Sequence, residues 1–562
     1  MPHTAPERFV PALIETLRDN YTLARFRQDA LAGLTVAIVA LPLSMAIAIA
    51  AGGTPAMGLY TAIVGGFVIS ALGGSRYQIG GPAGAFIVLI GATIAQHGVA
   101  GMILATMLAG LMMLLIGFLR LGSYIKFIPF PVTVGFSAGI AVIIFSSQIK
   151  DLLGLTLTVP EPGPVLEKLP VLWASLPSAN GVTMALSAAT ILLILALRRW
   201  APRLPNLLLA VVLTGGAAAL LNLPTPTVQS TFGAVPAGLP MPSLPMFDAA
   251  LLLAVIPNAI AFALLGSIEA LLSAVVADGM SGQRHNSNME LVAQGVANLA
   301  VGLFGGMVAT GTVARTATNV RAGAHGPVAG MLHALFILAF MLIAAPLVGY
   351  VPLASLAGVL AVVAWNMIER EAIVALFRGA RADAAVLMVT LTLTVFRDLT
   401  EAIVVGFALG SVLFIHRMSK AAEVVESRHP LPAEPEEAAA MDPEIVVYRI
   451  RGAFFFGATA SVGRVLDRVS ERHRGLVVDF ADVTLIDSSA VHLIEGLVHK
   501  ARRRGIEVML TGTTHELRRQ LFAHGLKPPV VIYEAGLPLG LSKLRHKLDR
   551  RNGVPGQTEA PA

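Results

Sequence analysis

Residues 305–323 are rich in glycine and threonine and contain Arg315. These residue types could bind a charged ligand. Arg315 in this run lies between long apolar segments, so we expect it near membrane depth. Irregular backbone is tolerated there only where protein or a wet cavity surrounds it. A short helix beginning near Thr312 would aim unpaired N–H groups and the positive end of its dipole into that cavity. The amides of Val313 and Ala314 and the guanidinium of Arg315 therefore predict an anion-binding site.

A second polar interruption, at residues 75–81, precedes Pro82 and another short apolar segment. Proline suits the first position of a helix because the N–H group it lacks would have no partner there. Ala83, Gly84 and Ala85 follow, and residues this small let an anion approach the backbone. Two facing helix starts can hold an anion without any full charge, so we expect these amides to contribute to the same site.

Glu269 is a carboxylate inside an apolar helix, where a charge costs at least about 2.5–3.5 kcal/mol and usually faces protein or water. Asn258, Phe262 and Ser273 share its helix face. We interpret Glu269 with Ser273 as the coupling site for a proton or another cation. The alternative is a permanent ion pair with Arg315, which would then be a brace between helices. The two readings combine if protonation of Glu269 releases Arg315.

The composition excludes a soluble protein. Of the 562 residues, 55% are hydrophobic and 13% are charged, whereas soluble chains carry about 25% charged residues. Cysteine is absent, which excludes disulfides and thiol chemistry. The sequence contains neither a G-x-x-x-x-G-K-[ST] loop nor a recognisable catalytic triad. We therefore expect an α-helical polytopic membrane protein that is not an enzyme, with no cofactor, no metal site and no nucleic-acid partner.

The apolar runs predict fourteen transmembrane segments, of which two are short. They lie at 30–51, 57–73, 82–95, 101–119, 128–149, 181–198, 206–222, 250–277, 290–304, 312–321, 327–345, 352–367, 383–396 and 400–416. Segments 82–95 and 312–321 fall below the roughly 20 residues that cross a bilayer. Each is third in its half of seven, and short segments at matching positions of inverted repeats indicate a transporter binding site.

Charge places both termini in the cytoplasm. Most basic clusters fall on one side of the fourteen-span scheme, with Lys150, Lys168 and Arg397 as exceptions. The loops on the opposite side carry no lysine or arginine; they are 96–101, 222–248 and 346–351. Loops outside the cytoplasm typically have fewer of these residues than cytoplasmic loops.

Changes in amino-acid composition along the chain predict five successive regions. A cytoplasmic segment at 1–29 precedes the transport domain at 30–420 and an acidic, proline-rich linker at 421–443. Alternating strand and helix patterns at 444–545 predict a small α/β domain. We expect residues 546–562 to form a disordered tail.

Four motifs together resemble the SulP (sulfate permease) family of anion transporters. They are SIEALLSAVVADGM at 267–280, NVRAGA at 319–324, FRDLTEAIVVG at 396–406 and DSSA at 487–490, the last resembling a helix start of the family's C-terminal STAS domain. Within the family the chain is most similar to the DauA-type C4-dicarboxylate transporters, through residues 275–290 and 363–369.

The resemblance implies two intertwined seven-helix repeats, forming a core domain that binds substrate and a gate domain against which the core moves. It implies that Leu43 and Ile47 line the substrate cavity, although relatives often carry glutamine and an aromatic residue there. It also implies a homodimer and a cytoplasmic partner of the STAS domain. Ser488 and Ser489 are either part of a helix cap or a regulatory phosphorylation site.

We therefore expect a secondary active transporter of small anions in a bacterial inner membrane. The predicted activity is proton-coupled uptake of C4-dicarboxylates such as succinate, fumarate and aspartate. Sulfate or bicarbonate, with proton or sodium coupling, is the alternative. Two further classes stay open at this point, namely an anion channel and a membrane-anchored sensor.

Overall fold

A computed structural model gives the structure of most of the chain. The described residues are 9–19, 21–125, 129–159, 161–162, 164–201, 204–245, 248–397, 399–421, 423–426, 444–456 and 473–551. Most of the predicted linker, the end of the predicted tail and Asp398 lie outside them. The chain divides into two compact units, Met1–Ala408 and Leu409–Ala562.

The first unit is built almost entirely from helices. In chain order, up to the start of the second unit, they are α1 Ala12–Arg18, α2 Leu23–Ala50, α3 Pro55–Tyr60, α4 Gly66–Leu72, α5 Ile87–Phe118, α6 Gly122–Ile125, α7 Phe130–Leu153, α8 Val165–Ser175, α9 Gly181–Trp200, α10 Asn206–Leu220, α11 Val228–Phe232, α12 Ala249–Ala254, α13 Ile256–Ser281, α14 Ser287–Leu303, α15 Val313–Arg321, α16 Val328–Val348, α17 Leu353–Met367, α18 Arg370–Arg378, α19 Arg381–Phe396 and α20 Leu399–Ala421. Among the described residues, 8 helical runs are long and apolar enough to cross a membrane. The chain is a multi-pass membrane protein, and the count of fourteen spans stays a prediction.

Two helical segments differ from the predicted boundaries. The first predicted span, 30–51, begins earlier, as α2 at Leu23, because Thr22 takes an extended conformation and caps the helix by accepting a hydrogen bond from Arg25 N. The third and fourth predicted spans adjoin within α5, with a kink at Gly98 and no loop between them. Gly98 has a φ of 70°, a conformation that glycine adopts without steric cost.

The two short segments meet through a pair of minimal strands. β1, Gly80–Gly81, pairs antiparallel with β2, Thr310–Gly311. Each strand directly precedes one of the predicted helix starts. Since a membrane interior offers no water to backbone groups, two interrupted segments satisfy each other's hydrogen bonds by pairing.

The second unit contains a five-stranded sheet with helices. The strands are β3 Glu423–Glu426, β4 Ile445–Phe454, β5 Gly475–Ile486, β6 Glu507–Thr511 and β7 Ile532–Glu534, in the order β3-β4-β5-β6-β7. β4 to β7 are parallel and β3 is antiparallel to β4. The helices are α21 Ser488–Arg503, α22 His515–Ala523 and α23 Leu537–Arg551. This parallel arrangement confirms the predicted α/β domain.

Two predicted boundaries of this unit are wrong. The first residues of the predicted linker form β3, because Val424 and Val425 supply an extended segment that pairs with the edge of β4. The predicted tail contributes the end of α23, whose Leu544 and Leu548 are buried against the sheet. Leu544 and Leu548 are four residues apart and therefore lie on one face of the helix. This spacing is typical of an amphipathic helix that packs on a core.

Glu290 in α14 holds the loop that leads to the first short segment, and its removal is expected to destabilise the protein. This fully buried carboxylate accepts the N–H groups of Gly74 at 3.0 Å and Ser75 at 3.1 Å. Glu290→Ala leaves both donors without a partner, at about 1–3 kcal/mol each. We expect a lower melting temperature in detergent, measured by tryptophan fluorescence. The matched variant Glu371→Ala on exposed α18 should melt like the wild type, and equal melting of both variants would contradict this role.

Candidate functional site

The start of α15 presents unpaired backbone amides. Its N-cap, Thr312, is extended, and the first backbone hydrogen bond of the helix joins Thr316 N to Thr312 O at 3.0 Å. Helix geometry therefore leaves the amides of Val313, Ala314 and Arg315 without an acceptor inside the helix. Val313 and Ala314 are exposed, whereas Thr312 and Arg315 on either side of them are buried.

The segment after Pro82 has the same local form. Ala83 is extended and precedes a 3₁₀ turn, Gly84–Phe86, which continues into α5. The turn closes with a hydrogen bond from Phe86 N to Ala83 O at 3.1 Å. The amides of Gly84 and Ala85 consequently lie ahead of the first hydrogen bond, like those at the start of α15.

The structure brings these two helix starts together. Thr312 N donates to Ile79 O at 3.0 Å, and Ile79 N donates to Thr316 Oγ1 at 3.1 Å. With the pairing of β1 and β2, these bonds tie the segments at the residues that precede each helix. The predicted tip-to-tip meeting is therefore present.

Arg315 lies at this junction with most of its guanidinium unused. The side chain is 1% exposed. Its Nη2 donates to Pro82 O and to Ser44 Oγ, each at 3.2 Å. Its Nε and Nη1 atoms are buried and have no hydrogen-bond partner among the described residues. A buried guanidinium with unpaired donors can give charge-assisted hydrogen bonds to an anion.

Gly81 lets the guanidinium reach this position. It has a φ of 153°, and a Cβ atom there would collide with Arg315 Nη1. We expect Gly81→Ala to displace Arg315 from Pro82 O and to weaken anion binding at least about tenfold, the effect of losing one net hydrogen bond. Calorimetric titration of the purified protein with substrate measures this loss.

A matched variant separates this collision from backbone strain. Gly98 also has a positive φ, of 70°, but a Cβ atom there meets nothing within 4 Å. Gly98→Ala should therefore bind substrate like the wild type. Equal losses in both variants would show that strain alone is responsible.

The predicted face of α13 lies against both short segments. Ser273 Oγ donates to Thr316 Oγ1 of α15 at 2.9 Å. The Phe262 ring packs on Phe86 with centroids 6.0 Å apart. Asn258 Nδ2 donates to Thr93 Oγ1 of α5 at 2.9 Å. The polar residues on this helix face, Asn258 and Ser273, therefore make hydrogen bonds to the two short segments.

Glu269 projects from α13 without an ion-pair partner in this conformation. Its Oε2 atom is buried and accepts no hydrogen bond from the described residues. No ion pair joins Glu269 to Arg315 among those residues, so the predicted brace between them is not formed here. Glu269 is therefore available to hold a proton.

Leu43 and Ile47 lie on α2 in the apolar cluster that also contains Ala83, Ala85 and Phe86. Both side chains are buried, at 7% and 2% exposure. Leu43 precedes Ser44, whose Oγ accepts a hydrogen bond from Arg315 at the junction. Their contact with substrate stays a prediction.

Gly84 faces helices α7 and α17. A Cβ atom on it would lie 3.1 Å from Ile144 Cδ1 of α7 and 3.9 Å from Met367 Sδ of α17. The first helix start therefore packs near these two helices, whereas Val313 and Ala314 in the first turn of α15 are exposed.

Three polar residues of the junction were not found from sequence. Ser44 accepts from Arg315, and Thr316 links α13 to Ile79. Gln78 is 3% exposed, and neither of its amide atoms has a partner. The sequence feature that could have indicated Ser44 was its hydroxyl group, next to Leu43 within a long apolar run. Thr316 and Gln78 lay within the polar interruptions already noted.

Ser488 and Ser489 of the second unit lie at an exposed helix start. Asp487 is the N-cap of α21, and its carboxylate accepts from Ala490 N at 2.9 Å and Phe456 N at 3.0 Å. Ser488 and Ser489 open the helix with exposed side chains. The cap is therefore Asp487, and phosphorylation of either serine stays a prediction.

Comparison with known proteins identifies the family. The sulfate permease family model matches residues 26–390, and a STAS domain model matches residues 438–535. The chain belongs to the sulfate permease family. It is thus a member of a family of membrane transporters and not of enzymes, and its second compact unit contains a STAS domain.

Relatives of this permease cover nearly the whole chain. It is 38% identical over 511 residues to a protein of Bacillus subtilis named putative sulfate transporter YvdB, covering 90% of this chain and 95% of that one. It is 30% identical over 514 residues to the bicarbonate transporter BicA of Synechocystis, covering 88% and 89%.

Solved structures establish the fold of this permease. The murine Solute Carrier 26 family member A9 anion transporter, in its inward-facing state, superposes with a TM-score of 0.84 at 16% identity, covering 97% of this chain and 96% of that one. The transmembrane domain of a cyanobacterium bicarbonate transporter BicA gives 0.63 at 32% identity, covering 68% and 98%.

Proposed function

We propose that this permease is a secondary active transporter of small anions that works by alternating access. The observation that carries the proposal is Arg315, a buried guanidinium with two unpaired nitrogen atoms beside two helix starts. Unpaired amides and one cation favour a negative ligand over a neutral or positive one. The amides of Ala83, Gly84, Ala85, Val313 and Ala314 complete the proposed site with Arg315.

We assign the coupling step to Glu269 with Ser273. The Oε2 atom of Glu269 lacks a partner, and Ser273 joins the same helix face to α15 through Thr316. A proton on Glu269 would remove a negative charge from the neighbourhood of the anion. Proton and anion would therefore bind together and cross together, which is symport. Sodium is the alternative coupling ion.

Within the anions we propose C4-dicarboxylates such as succinate, fumarate and aspartate. One carboxylate would take the amides and Arg315. The short hydrocarbon chain would lie against the apolar side of the junction, where Leu43, Ile47 and Phe86 are buried. The similarity of residues 275–290 and 363–369 to DauA-type transporters supports the same substrate class.

Sulfate or bicarbonate is the second candidate, and a separate observation favours it. Relatives of this permease carry the names putative sulfate transporter and bicarbonate transporter. Among the described site residues only one cation, Arg315, is buried at the junction, which suits an ion with a single charged group.

Uptake in proteoliposomes separates these substrates and the coupling ions. Labelled succinate, sulfate and bicarbonate are each supplied with a pH gradient, a sodium gradient or neither. The proposal predicts concentrative succinate uptake that needs the pH gradient. Uptake of sulfate or bicarbonate alone would overturn the substrate assignment and leave anion transport standing. Conductance without accumulation against a gradient would instead indicate a channel.

We further propose a bacterial inner-membrane protein with both termini in the cytoplasm and a homodimeric assembly. Lysine and arginine placement supports the orientation, and the family resemblance supports the dimer. Deleting residues 444–562 tests whether the STAS domain regulates transport or signals to a cytoplasmic partner. A transporter retains uptake after this deletion, whereas a sensor loses its output.

A further inference from the structure

Three side chains of the second compact unit converge between two helices. His492 and Glu495 lie one turn apart on α21, and His524 directly follows α22. The ligand atoms of the three residues all lie within 4.8 Å of one another. Each side chain comes from a helix or its end, so the trio is positioned by regular structure.

The distances match those between ligands of a tetrahedral metal ion. His492 Nδ1 lies 3.2 Å from Glu495 Oε2, and His524 Nδ1 lies 3.3 Å from the same oxygen. Zinc bonds to nitrogen and oxygen are about 2.0–2.2 Å, and a tetrahedron of that size has edges of roughly 3.3–3.5 Å. Two of the three distances between ligand atoms are therefore close to the edge of a zinc tetrahedron, and the third pair lies within 4.8 Å.

A fourth ligand is available from the same helix. His499 Nε2 lies 3.9 Å from Glu495 Oε1. Its side chain is 57% exposed, which leaves room for a rotamer change. The spacing of His492, Glu495 and His499 puts all three on one face of α21. His499 or a water molecule would complete the coordination.

We propose that His492, Glu495 and His524 form a binding site for a divalent first-row transition metal ion, with zinc as the reference ligand. Two imidazoles and one carboxylate suit zinc, cobalt and nickel. The same set does not suit magnesium or calcium, which require oxygen ligands. This assignment replaces the sequence expectation that the chain has no metal site. It does not depend on the proposed transport function.

Metal binding would fix the end of α22 against α21. In this structure the hydrogen bond between His524 Nδ1 and Glu495 Oε2 links the end of α22 to α21, whereas the bond between His492 and Glu495 lies within α21. Because α21 also begins at Ser488, the site lies on the helix that carries the exposed serines. Anything that binds only the folded domain also stabilises it.

Zinc competition against a chromophoric chelator tests the site. The full chain is purified in detergent without a histidine tag and stripped with a chelator that is then removed. We expect one zinc equivalent per chain and no competition by magnesium. Glu495→Gln and His524→Asn should each weaken zinc binding at least about tenfold, since even outer-shell changes cost that much. Zinc should raise the melting temperature of the wild type but not of these two variants.

His546→Asn is the matched control, because it removes an exposed histidine from the same domain. It should retain the zinc equivalent. Cobalt supplies a second readout, since a tetrahedral site gives an intense visible spectrum that the ligand variants should lose. Equal zinc affinity in the control and the ligand variants would overturn the proposal, and so would an octahedral cobalt spectrum.

Discussion

Glu269→Gln is expected to abolish proton-driven accumulation of substrate while leaving exchange of substrate across the membrane. Glutamine keeps the size and polarity of the side chain but cannot take up a proton. A gradient of one pH unit supports about tenfold accumulation when one proton crosses with each substrate, because each unit corresponds to 1.36 kcal/mol. In proteoliposomes the variant should lose this accumulation and retain counterflow of labelled substrate.

The control for this experiment is Glu369→Gln, which changes an exposed carboxylate outside the junction. It should accumulate substrate like the wild type. If Glu269→Gln also does so, Glu269 does not carry the proton. If it instead loses both accumulation and exchange while melting normally, the carboxylate serves binding or structure rather than coupling.

Arg315→Met is expected to remove anion binding with little loss of folding. The structure gives Arg315 two hydrogen bonds, to Ser44 and Pro82, and leaves Nε and Nη1 without partners. A hydrogen bond to a charged group is worth about 1.5–3 kcal/mol, so substrate affinity should fall about 10- to 150-fold. Methionine relieves the cost of burying a charge, which opposes destabilisation. Calorimetric substrate titration and melting temperature are measured together.

Arg321→Met is the matched variant, because Arg321 is an exposed arginine at the end of the same helix. It should bind substrate normally. Arg315→Lys adds a second test, since it keeps the charge and loses the planar fork of donors. If Arg315→Met binds substrate normally but melts far lower than Arg321→Met, Arg315 is a brace between helices and the anion site lies elsewhere.

We expect the two variants to affect different steps of the proposed transport cycle. In this conformation Glu269 and Arg315 make no ion pair, and each has buried atoms without partners. Arg315 contacts the helix starts through its hydrogen bond to Pro82 O, whereas Glu269 lies on α13, one turn before Ser273. Binding and coupling can therefore be lost separately.

The sequence by itself determined the membrane class and the two interrupted segments. These features depend on local patterns, namely long apolar runs and the glycine and proline residues that break them. The meeting of the two short segments was also predictable, because their matching positions in two halves imply repeats that face each other. Val313 and Ala83 were predicted as site residues for this reason.

Tertiary structure alone decided which side chains met at those segments. The contacts of Ser44 with Arg315, of Glu290 with Gly74, and of Glu495 with His524 join residues far apart in the chain or on separate elements. Local pattern carries no information on such pairs, since it sets which face of a helix is buried but not which neighbour that face meets. For the same reason, the sequence did not indicate whether Glu269 and Arg315 form an ion pair. The folded structure shows that they do not in this conformation.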